Sequence, residues 1–364
     1  MNNDLPTLQQ EAIELLKELI ATPSFSKQED QTAGIISRYL AVKKIYTSRL
    51  GNNVFSFNQH FDAAKPTILL NSHHDTVKPN SAYTKNPFKA IIENEKLFGL
   101  GSNDAGGALV SLIGAFIYFY NQPGLKYNLA LATTAEEEIS GSGGIEMVLN
   151  SPYFNEPMQG KKIDCAIVGE PTQLQLAVAE RGLIVLDNLA TGKAGHAARN
   201  EGENAIYKAL KDIDWYRNHR FEKVSDLLGP VQMSITVIET ENKAHNVVPD
   251  KCHFIADIRV NEKYSLEEVL DVIKKNVQSS VTPRSLRMRS STIPAERPLV
   301  KAGLSMGKNT YGSPTTSDKA LMPFPALKAG PGDSARSHTA DEFIYVQEIK
   351  DGVQFYTDLL KKLL

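Results

Sequence analysis

The sequence has few cysteines, no large excess of either charge and no long apolar run. Of its 364 residues only Cys165 and Cys252 are cysteines. Both lie in apolar segments, so we interpret them as reduced core residues and expect no disulfide framework. The formal net charge is −2, which gives no general attraction to nucleic acid or to an anionic membrane. No apolar run reaches membrane-spanning length. We therefore expect neither a nucleic-acid partner nor a membrane partner.

The amino-terminal segment lacks the basic and then apolar pattern of a secretory signal peptide. Its residues, MNNDLPTLQQEAIELLKELI, instead show the spacing of an amphipathic helix. Together with the reduced cysteines this predicts a cytoplasmic protein. A hydrophobic content of 41% is ordinary for a globular enzyme, and the chain is long enough to form more than one domain.

What the sequence does contain is an alternation of helical and strand patterns in its first half. Short apolar runs such as TILLNS, YNLALATT and DCAIVG alternate with helical segments, which predicts an α/β fold with a mostly parallel sheet. Near Gln173 the pattern changes to longer alternating strands and two helical segments. We expect an α/β catalytic domain of zinc-peptidase type at 1–173 and 290–364, with an inserted α+β domain of two helices and four strands at 174–289.

Side chains that bind metals follow the ends of several predicted strands. These residues are His73 and Asp75, the triplet Glu136–Glu137–Glu138, Glu170 and His338, and Asp104 lies in a glycine-rich loop. In open α/β sheets ligands bind beyond the carboxyl ends of the strands, so these side chains are expected to meet at one edge. Imidazole and carboxylate suit zinc, and two ions can share one carboxylate. The pattern therefore indicates a zinc-type metal site.

Each of these residues also has an ordinary structural interpretation. A His-x-Asp sequence at a strand end is usually structural, and an acidic triplet is more often a solvated surface. Asp104 could be a turn residue, and His338 could cap a helix. The metal site is favoured because independent strand ends share the same ligand chemistry. Asp75 could orient His73 through the ring nitrogen that faces away from the metal.

Seven stretches of sequence, in order, carry a resemblance to a known family. They are SHHDTV, GLGSNDAGG, TTAEEEISGSGG, VGEPT, GKAGHAA, the pair NVVPD and DIRV, and SHTADEF. Together they resemble the di-zinc family of aminoacylases, acetylornithine deacetylases and succinyl-diaminopimelate desuccinylases, most of all the acetylornithine deacetylases. The resemblance covers nearly the whole chain, so it implies the family's fold and a metal-dependent amide hydrolysis.

The resemblance implies a role for each candidate ligand. His73 and Glu170 would hold one Zn²⁺, Glu138 and His338 would hold the other, and Asp104 would bridge them. Co²⁺ or Mn²⁺ could substitute for zinc. Glu137 would be the general base and Asp75 would brace His73. The resemblance further implies that the Asp104–Ala105 peptide is cis.

In the inserted domain the resemblance implies dimerisation and contact with substrate. His196 would reach the partner subunit's active site and stabilise the oxyanion, and Asn246 and Arg259 would bind the substrate carboxylate or acyl group. Each has a structural alternative. His196 could be a turn histidine, Asn246 could be a turn residue, and Arg259 could pair with Asp257 or Glu262.

Two departures from the family pattern bear on the substrate. Gly106 stands where many members have lysine, and Ala197 stands where many have serine. Neither is a ligand, so both affect the choice of substrate more than catalysis.

The expected function is metal-dependent deacylation of an N-acyl amino acid. We place N-acetyl-L-ornithine first, with L-ornithine and acetate as products, in arginine biosynthesis. The alternatives are desuccinylation of N-succinyl-diaminopimelate, deacylation of an N-acyl-citrulline or N-succinyl-ornithine, and hydrolysis of di- or tripeptides. A catalytically silent relative that only binds metal is a further alternative. A homodimer is expected.

Overall fold

The computed structural model describes residues 4–199 and 201–364. These residues form two compact units. The first unit contains the described residues up to Val178, together with Thr292–Tyr311 and Ser317–Leu364. The second unit contains Ala179–Ser291 and Gly312–Thr316. The dimerisation role expected for the inserted segment stays a prediction.

The secondary structure follows the alternating pattern of the sequence. The helices are α1 (Leu5–Ile20), α2 (Asp30–Val42), α3 (Gly107–Phe119), α4 (Ile145–Leu149), α5 (Pro152–Asn155), α6 (Ala205–Asn218), α7 (Leu266–Asn276), α8 (Pro298–Ser305) and α9 (Val346–Lys361). The strands are β1 (Ser48–Leu50), β2 (Asn53–Phe57), β3 (Thr67–His73), β4 (Ile91–Glu93), β5 (Lys96–Phe98), β6 (Asn128–Thr134), β7 (Ile163–Val168), β8 (Leu176–Glu180), β9 (Gly182–Thr191), β10 (Gly195–His196), β11 (Gln232–Glu239), β12 (Val247–Val248), β13 (Lys251–Val260), β14 (Ser280–Pro283), β15 (Ser291–Thr292), β16 (Thr310–Ser313), β17 (Ala326–Lys328) and β18 (Phe343–Tyr345). Within the described residues, no helix is both long and apolar enough to span a bilayer.

The main sheet of the first unit runs in the order β1-β2-β6-β3-β7-β17-β8. Strands β6, β3, β7 and β17 are parallel to their neighbours within this group, whereas β2 and β8 pair antiparallel at its two sides. Strands β3 and β6 are buried along their whole length, as expected for parallel strands covered on both faces. The α/β fold with a mostly parallel sheet, predicted from the sequence, is confirmed.

The register of the central strands determines which residues meet beyond their carboxyl ends. His73 at the end of β3 pairs with Thr134 at the end of β6. Asn71 on β3 pairs with Val168 at the end of β7. The residues that follow these strands, including the glutamate triplet and Glu170, therefore leave the sheet at one edge. This is the arrangement expected from the sequence.

Apolar side chains of the central strands alternate between two cores. Ile68 and Leu70 of β3 belong to a core that includes α1, α3 and α9, which pack against one another. Leu69, between them, belongs to a second core with Ile145 and Phe154 of the short helices α4 and α5. The strand period of two residues thus places helices on both faces of the sheet.

The second unit contains an antiparallel sheet in the order β11-β13-β9-β14. Alternate residues of β13 are buried, and its buried side chains pack with those of α6 and α7 in one core. Ser265 begins α7 with a capping box to Glu268. A separate pair, β10-β12, places His196 opposite Val247. The two helices and the four-stranded antiparallel sheet of this unit match the expected α+β class.

Candidate metal centre

Side chains from distant parts of the first unit converge beyond the ends of β3, β6 and β7. They form two groups of possible ligands, namely His73, Asp104 and Glu170, and Asp104, Glu138 and His338. Within each group the ligand atoms all lie within 4.8 Å of one another. Asp104 belongs to both groups. The five residues predicted as ligands are therefore brought together.

The two carboxylate oxygens of Asp104 face different histidines. Oδ1 lies 3.4 Å from Nε2 of His73, and Oδ2 lies 3.8 Å from Nε2 of His338. Nε2 of His73 also lies 3.8 Å from Oε1 of Glu170, and Nε2 of His338 lies 3.0 Å from Oε2 of Glu138. One carboxylate with an oxygen toward each of two imidazoles is the geometry that a bridging ligand of a two-metal site requires.

The hydrogen bonding of His73 indicates which ring nitrogen is available to a metal. Nδ1 lies 3.0 Å from the main-chain oxygen of Asp75. A carbonyl oxygen can only accept, so Nδ1 carries the proton in this bond. Nε2 is buried and has no hydrogen-bond partner. A buried polar atom without a partner is costly, and a neutral imidazole with a free Nε2 is a common metal ligand. The residues present therefore fit a bound metal ion.

The carboxylates around His73 are buried and close to one another. Burial, together with the nearby Glu170, Asp318 and Glu138, raises the pKa of Glu137 well above its usual range, although His73 opposes this. Burial also raises the pKa of Glu170 to about 8. A cluster of buried carboxylates is unfavourable unless cations compensate it. The buried carboxylates thus favour a bound metal ion, as does the unpartnered Nε2 of His73.

Asp75 holds the backbone that carries the glutamates. Its Oδ1 accepts the N–H of Glu137 at 3.0 Å, and its Oδ2 accepts the N–H of Glu138 at 3.1 Å and the hydroxyl of Ser26 at 2.7 Å. The expectation that the Asp75 carboxylate orients His73 stays a prediction. Oδ1 lies 3.3 Å from Nδ1 of His73, but the hydrogen bond from this nitrogen goes to the main-chain oxygen of Asp75.

Glu136 is enclosed by the glycines that follow the triplet. A Cβ at Gly141 or Gly143 would collide with its carboxylate, and the N–H of Gly143 donates to its Oε2 at 3.3 Å. Neither glycine has a positive φ. The sequence therefore requires glycine here for close approach to a carboxylate. The peptide between Asp104 and Ala105 is cis, as the resemblance implies.

Two buried carboxylates that the sequence pattern did not single out lie beside the ligands. Glu342 accepts three backbone N–H groups of the loop that carries Asp104. Asp318 accepts the hydroxyl of Thr134 at 2.7 Å, and burial raises the pKa of Asp318 to about 6. The nearest sequence signal for Glu342 is its position four residues after His338. Asp318 has no comparable signal, because the helical turn that contains it follows no strand of the ligand set.

The three residues with predicted substrate roles lie in the second unit. His196 is exposed, and its Nδ1 accepts the N–H of Ala198 at 3.2 Å, which leaves Nε2 as the protonated donor. The main-chain oxygen of Asn246 accepts the N–H of Ala197 at 3.0 Å. Arg259 pairs with both carboxylate oxygens of Asp257, at 2.8 and 3.0 Å. Its structural alternative is therefore realised, and the substrate roles of all three residues stay predictions.

Comparison with known proteins adds a family and a fold. The model of peptidase family M20/M25/M40 matches residues 69–362. A succinyl-diaminopimelate desuccinylase of Orientia tsutsugamushi (strain Ikeda) is 26% identical over 288 residues, which cover 76% of this chain and 73% of that protein. An acetylornithine deacetylase of Buchnera aphidicola subsp. Schizaphis graminum is 27% identical over 329 residues, which cover 85% of this chain and 84% of that protein.

Solved structures share the fold across nearly the whole chain. The M20 family metallo-carboxypeptidase Sso-CP2 of Sulfolobus solfataricus matches with a TM-score of 0.77 and 18% identity, over 97% of this chain and 99% of that one. The YXEP protein of Bacillus subtilis, described as a dinuclear metal-binding peptidase, matches with a TM-score of 0.72 and 17% identity, over 98% of each chain. At these identities the likeness shows the fold alone.

Proposed function

The chain belongs to peptidase family M20/M25/M40, and on that premise we propose that it is a two-metal deacylase of N-acyl amino acids. The observation that carries this proposal is the position of Asp104, whose two oxygens face His73 at 3.4 Å and His338 at 3.8 Å. Amide hydrolysis is the activity of the family. The choice of an acyl amino acid as substrate follows from the named relatives.

Five side chains would hold the ions. His73 and Glu170 would bind one, Glu138 and His338 would bind the other, and Asp104 would bind both. Imidazole and carboxylate donors suit Zn²⁺, and Co²⁺ or Mn²⁺ accept the same donors. When bound, the ions would polarise the amide carbonyl and lower the pKa of an attacking water.

Glu137 is the proposed general base and acid. Its Oε2 lies 3.9 Å from Nε2 of His73, so its carboxylate points toward the ligand groups. Asp75 holds its backbone N–H, which limits its movement. Burial raises the pKa of Glu137, which allows it to take a proton from the attacking water and to hold it near neutral pH. The same carboxylate then protonates the leaving amine.

His196 is the proposed oxyanion donor. Because its Nδ1 accepts a backbone N–H, its Nε2 carries the proton and can donate to a developing negative charge. We propose that the second unit dimerises and that His196 of the partner subunit acts on the substrate bound in each site.

A substrate carboxylate would suit the arginines of the second unit. The guanidinium of Arg181 is buried and donates through Nε to the main-chain oxygen of Leu228 at 3.1 Å. Burial, with a contribution from the nearby Arg259 guanidinium, lowers the pKa of Arg181, because both effects disfavour its charged form. Nε and Nη2 of Arg259 donate to Asp257, and Nη1 lies 3.3 Å from the hydroxyl of Thr316. Nη1 is therefore the nitrogen of Arg259 that is not engaged by Asp257.

We place N-acetyl-L-ornithine first among the substrates. The acetylornithine deacetylase matches over 85% of this chain, compared with 76% for the desuccinylase. N-succinyl-diaminopimelate is the second candidate, because several relatives with 26–27% identity are succinyl-diaminopimelate desuccinylases.

The test is amine release from a panel of substrates by protein loaded with zinc or cobalt. The panel contains N-acetyl-L-ornithine, N-acetyl-citrulline, N-succinyl-ornithine, N-succinyl-diaminopimelate and a dipeptide. One preferred substrate, cleaved by the loaded protein and not after chelation, supports the proposal. Glu137→Gln is expected to keep its metal and to lose about 10²–10⁴ in rate, whereas Glu156→Gln, at an exposed position, serves as the control. A chain that binds two ions and cleaves nothing in the panel would be a silent metal-binding relative.

A further inference from the structure

The carboxylate of Glu342 is buried against the loop that carries Asp104. Its Oε1 accepts the N–H of Asn103 at 2.8 Å and the N–H of Asp104 at 2.9 Å, and its Oε2 accepts the N–H of Gly101 at 3.1 Å. Only 2% of the residue is exposed. Three backbone N–H groups of one loop, at residues 101, 103 and 104, therefore donate to a single side chain more than 200 residues away along the chain.

Strand pairing places Glu342 beside this loop. Phe343 at the start of β18 pairs with Phe98 at the end of β5. The main-chain oxygen of Glu342 accepts the N–H of Gly99 at 3.0 Å. The carboxylate thus extends from a paired strand over the residues that follow β5. A second contact holds the same loop, since the side chain of Asn103 bonds the backbone of Asp333 through both its oxygen and its nitrogen.

Glu342 also connects two chain segments that carry possible metal ligands. Glu342 lies four residues after His338, and its hydrogen bonds end at the backbone of Asp104. One side chain therefore connects the segment that carries His338 to the segment that carries Asp104. Its position determines where the shared carboxylate stands relative to one of the two histidines.

A carboxyl group can satisfy all three backbone donors, because both of its oxygens accept hydrogen bonds. A glutamine of the same shape has one oxygen and one NH₂ group, so at least one backbone N–H would face another donor. A buried N–H without an acceptor is destabilising, and the loop would move to relieve it.

Building on the metal-binding role proposed for Asp104, we propose that Glu342 is the positioning residue of the shared ligand, and that binding of the metal pair depends on it. Glu342 touches neither metal nor substrate in this role. It acts through the backbone of residues 101–104. Residues that orient metal ligands in this way typically change metal affinity about 10–100-fold when they are replaced.

The experiment compares Co²⁺ binding by the full chain with Glu342→Gln and Glu342→Asp, by calorimetric titration and by the visible spectrum of bound Co²⁺. Asp212→Asn is the matched control. Asp212 is also buried and accepts two backbone N–H groups, from Gln278 at 3.0 Å and from Ser279 at 2.8 Å, but it lies in the second unit. Thermal unfolding in excess chelator measures the purely structural cost of each substitution.

We expect Glu342→Gln to bind Co²⁺ about 10–100-fold more weakly than the wild type, with an altered spectrum, and Asp212→Asn to bind it normally. Wild-type affinity and spectrum in Glu342→Gln, with a loss of thermal stability like that of Asp212→Asn, would overturn the proposal and leave a structural role. If Glu342→Gln does not fold, Glu342→Asp is judged by the same criterion. A wild-type chain that binds no Co²⁺ would overturn the proposed function as well. Failure of the proposed function is thus distinguished from failure of the role proposed for Glu342.

Discussion

The carboxylate of Asp75 accepts the backbone N–H of Glu137, with 3.0 Å between Oδ1 and N. The two residues follow neighbouring parallel strands, β3 and β6, which end together at His73 and Thr134. The side chain that follows one strand thus fixes the backbone of the proposed base after the next strand. Because the second oxygen holds Glu138 in the same way, one carboxylate positions both a proposed base and a proposed ligand.

Asp75→Asn is therefore expected to affect catalysis and metal binding together. The amide can accept from only one of the two backbone N–H groups, so the loop of Glu137 and Glu138 should lose its fixed position. We expect a fall of about 10–100-fold in metal affinity and a larger fall in kcat. Measurement of kcat at saturating metal separates the two effects.

Asp30→Asn is the control for Asp75→Asn. Asp30 is exposed and pairs with Arg49, and surface ion pairs contribute about 0–1 kcal/mol. It should leave both quantities unchanged. Unaltered kcat and metal affinity in Asp75→Asn would show that the backbone of the glutamates is held by other contacts.

The positions of the ligands could be predicted from the sequence because strand ends have a physical signature. A buried parallel strand is a short apolar run, and the polar residues just after it must leave the sheet at its carboxyl edge. His73 and Glu170 follow such runs directly, and the glutamate triplet follows YNLALATT. The local sequence pattern and the sheet topology therefore suffice to predict that these residues lie close together, without knowledge of their contacts.

Glu342 and Asp318 could not be found in this way, because their partners are distant in sequence. Glu342 bonds a loop more than 200 residues away, and Asp318 bonds Thr134 across a similar separation. A single polar residue near the start of a strand or in a helical turn is indistinguishable from a surface residue in the sequence. The same applies to the glycines around Glu136, whose close approach to a carboxylate is a tertiary contact.

His196→Ala is expected to slow turnover without releasing metal. The loss of one donor to an oxyanion typically costs about 2.7–4 kcal/mol, or about 10²–10³ in kcat. Metal content and the oligomeric state, measured by sedimentation, should stay unchanged. His60→Ala is the control, because His60 is exposed and its Nε2 lies 3.2 Å from Oδ1 of Asn121, far along the chain from the predicted site residues. A normal kcat in His196→Ala would leave His196 as a turn residue.

Gly143→Ala is expected to destabilise the loop around Glu136. Its Cβ would collide with the carboxylate of Glu136, so this side chain must move and lose its hydrogen bond from the N–H of Gly143, at a cost of about 0.5–1.5 kcal/mol. The displacement should extend to Glu137 and Glu138 and reduce kcat. Urea unfolding and steady-state kinetics measure the two effects.

Gly34→Ala is the control for Gly143→Ala. A Cβ at Gly34, in α2, would meet no atom within 4 Å. Alanine favours a helix over glycine by about 1 kcal/mol, so this variant should be at least as stable as the wild type, with normal kinetics. Equal stability and kcat in both variants would mean that the loop has room for a side chain.

The metal-free protein is expected to lose stability as pH rises from about 4.5 to about 8. Burial raises the pKa of Glu170 from 4.5 to about 8 and that of Glu342 from 4.5 to about 8. Over this range the folded chain keeps protons that the unfolded chain releases, so the free energy of unfolding must fall with rising pH. The pKa of His338, raised from 6.5 to about 9 by its bond to Glu138, acts with the same sign from pH 6.5 upward.

Urea unfolding of the chelated protein at several pH values measures this slope. Glu170→Gln removes one of the titrating carboxylates, so its slope between pH 5 and 8 should be shallower and its stability at pH 8 higher than that of the wild type. In saturating Zn²⁺ the wild type should instead be more stable than Glu170→Gln. Binding to the folded state stabilises a protein, and the variant lacks the negative charge with which Glu170 would bind the ion. An identical slope in both chelated proteins would show that Glu170 does not titrate in this range, and would remove the electrostatic part of the evidence for the metal site.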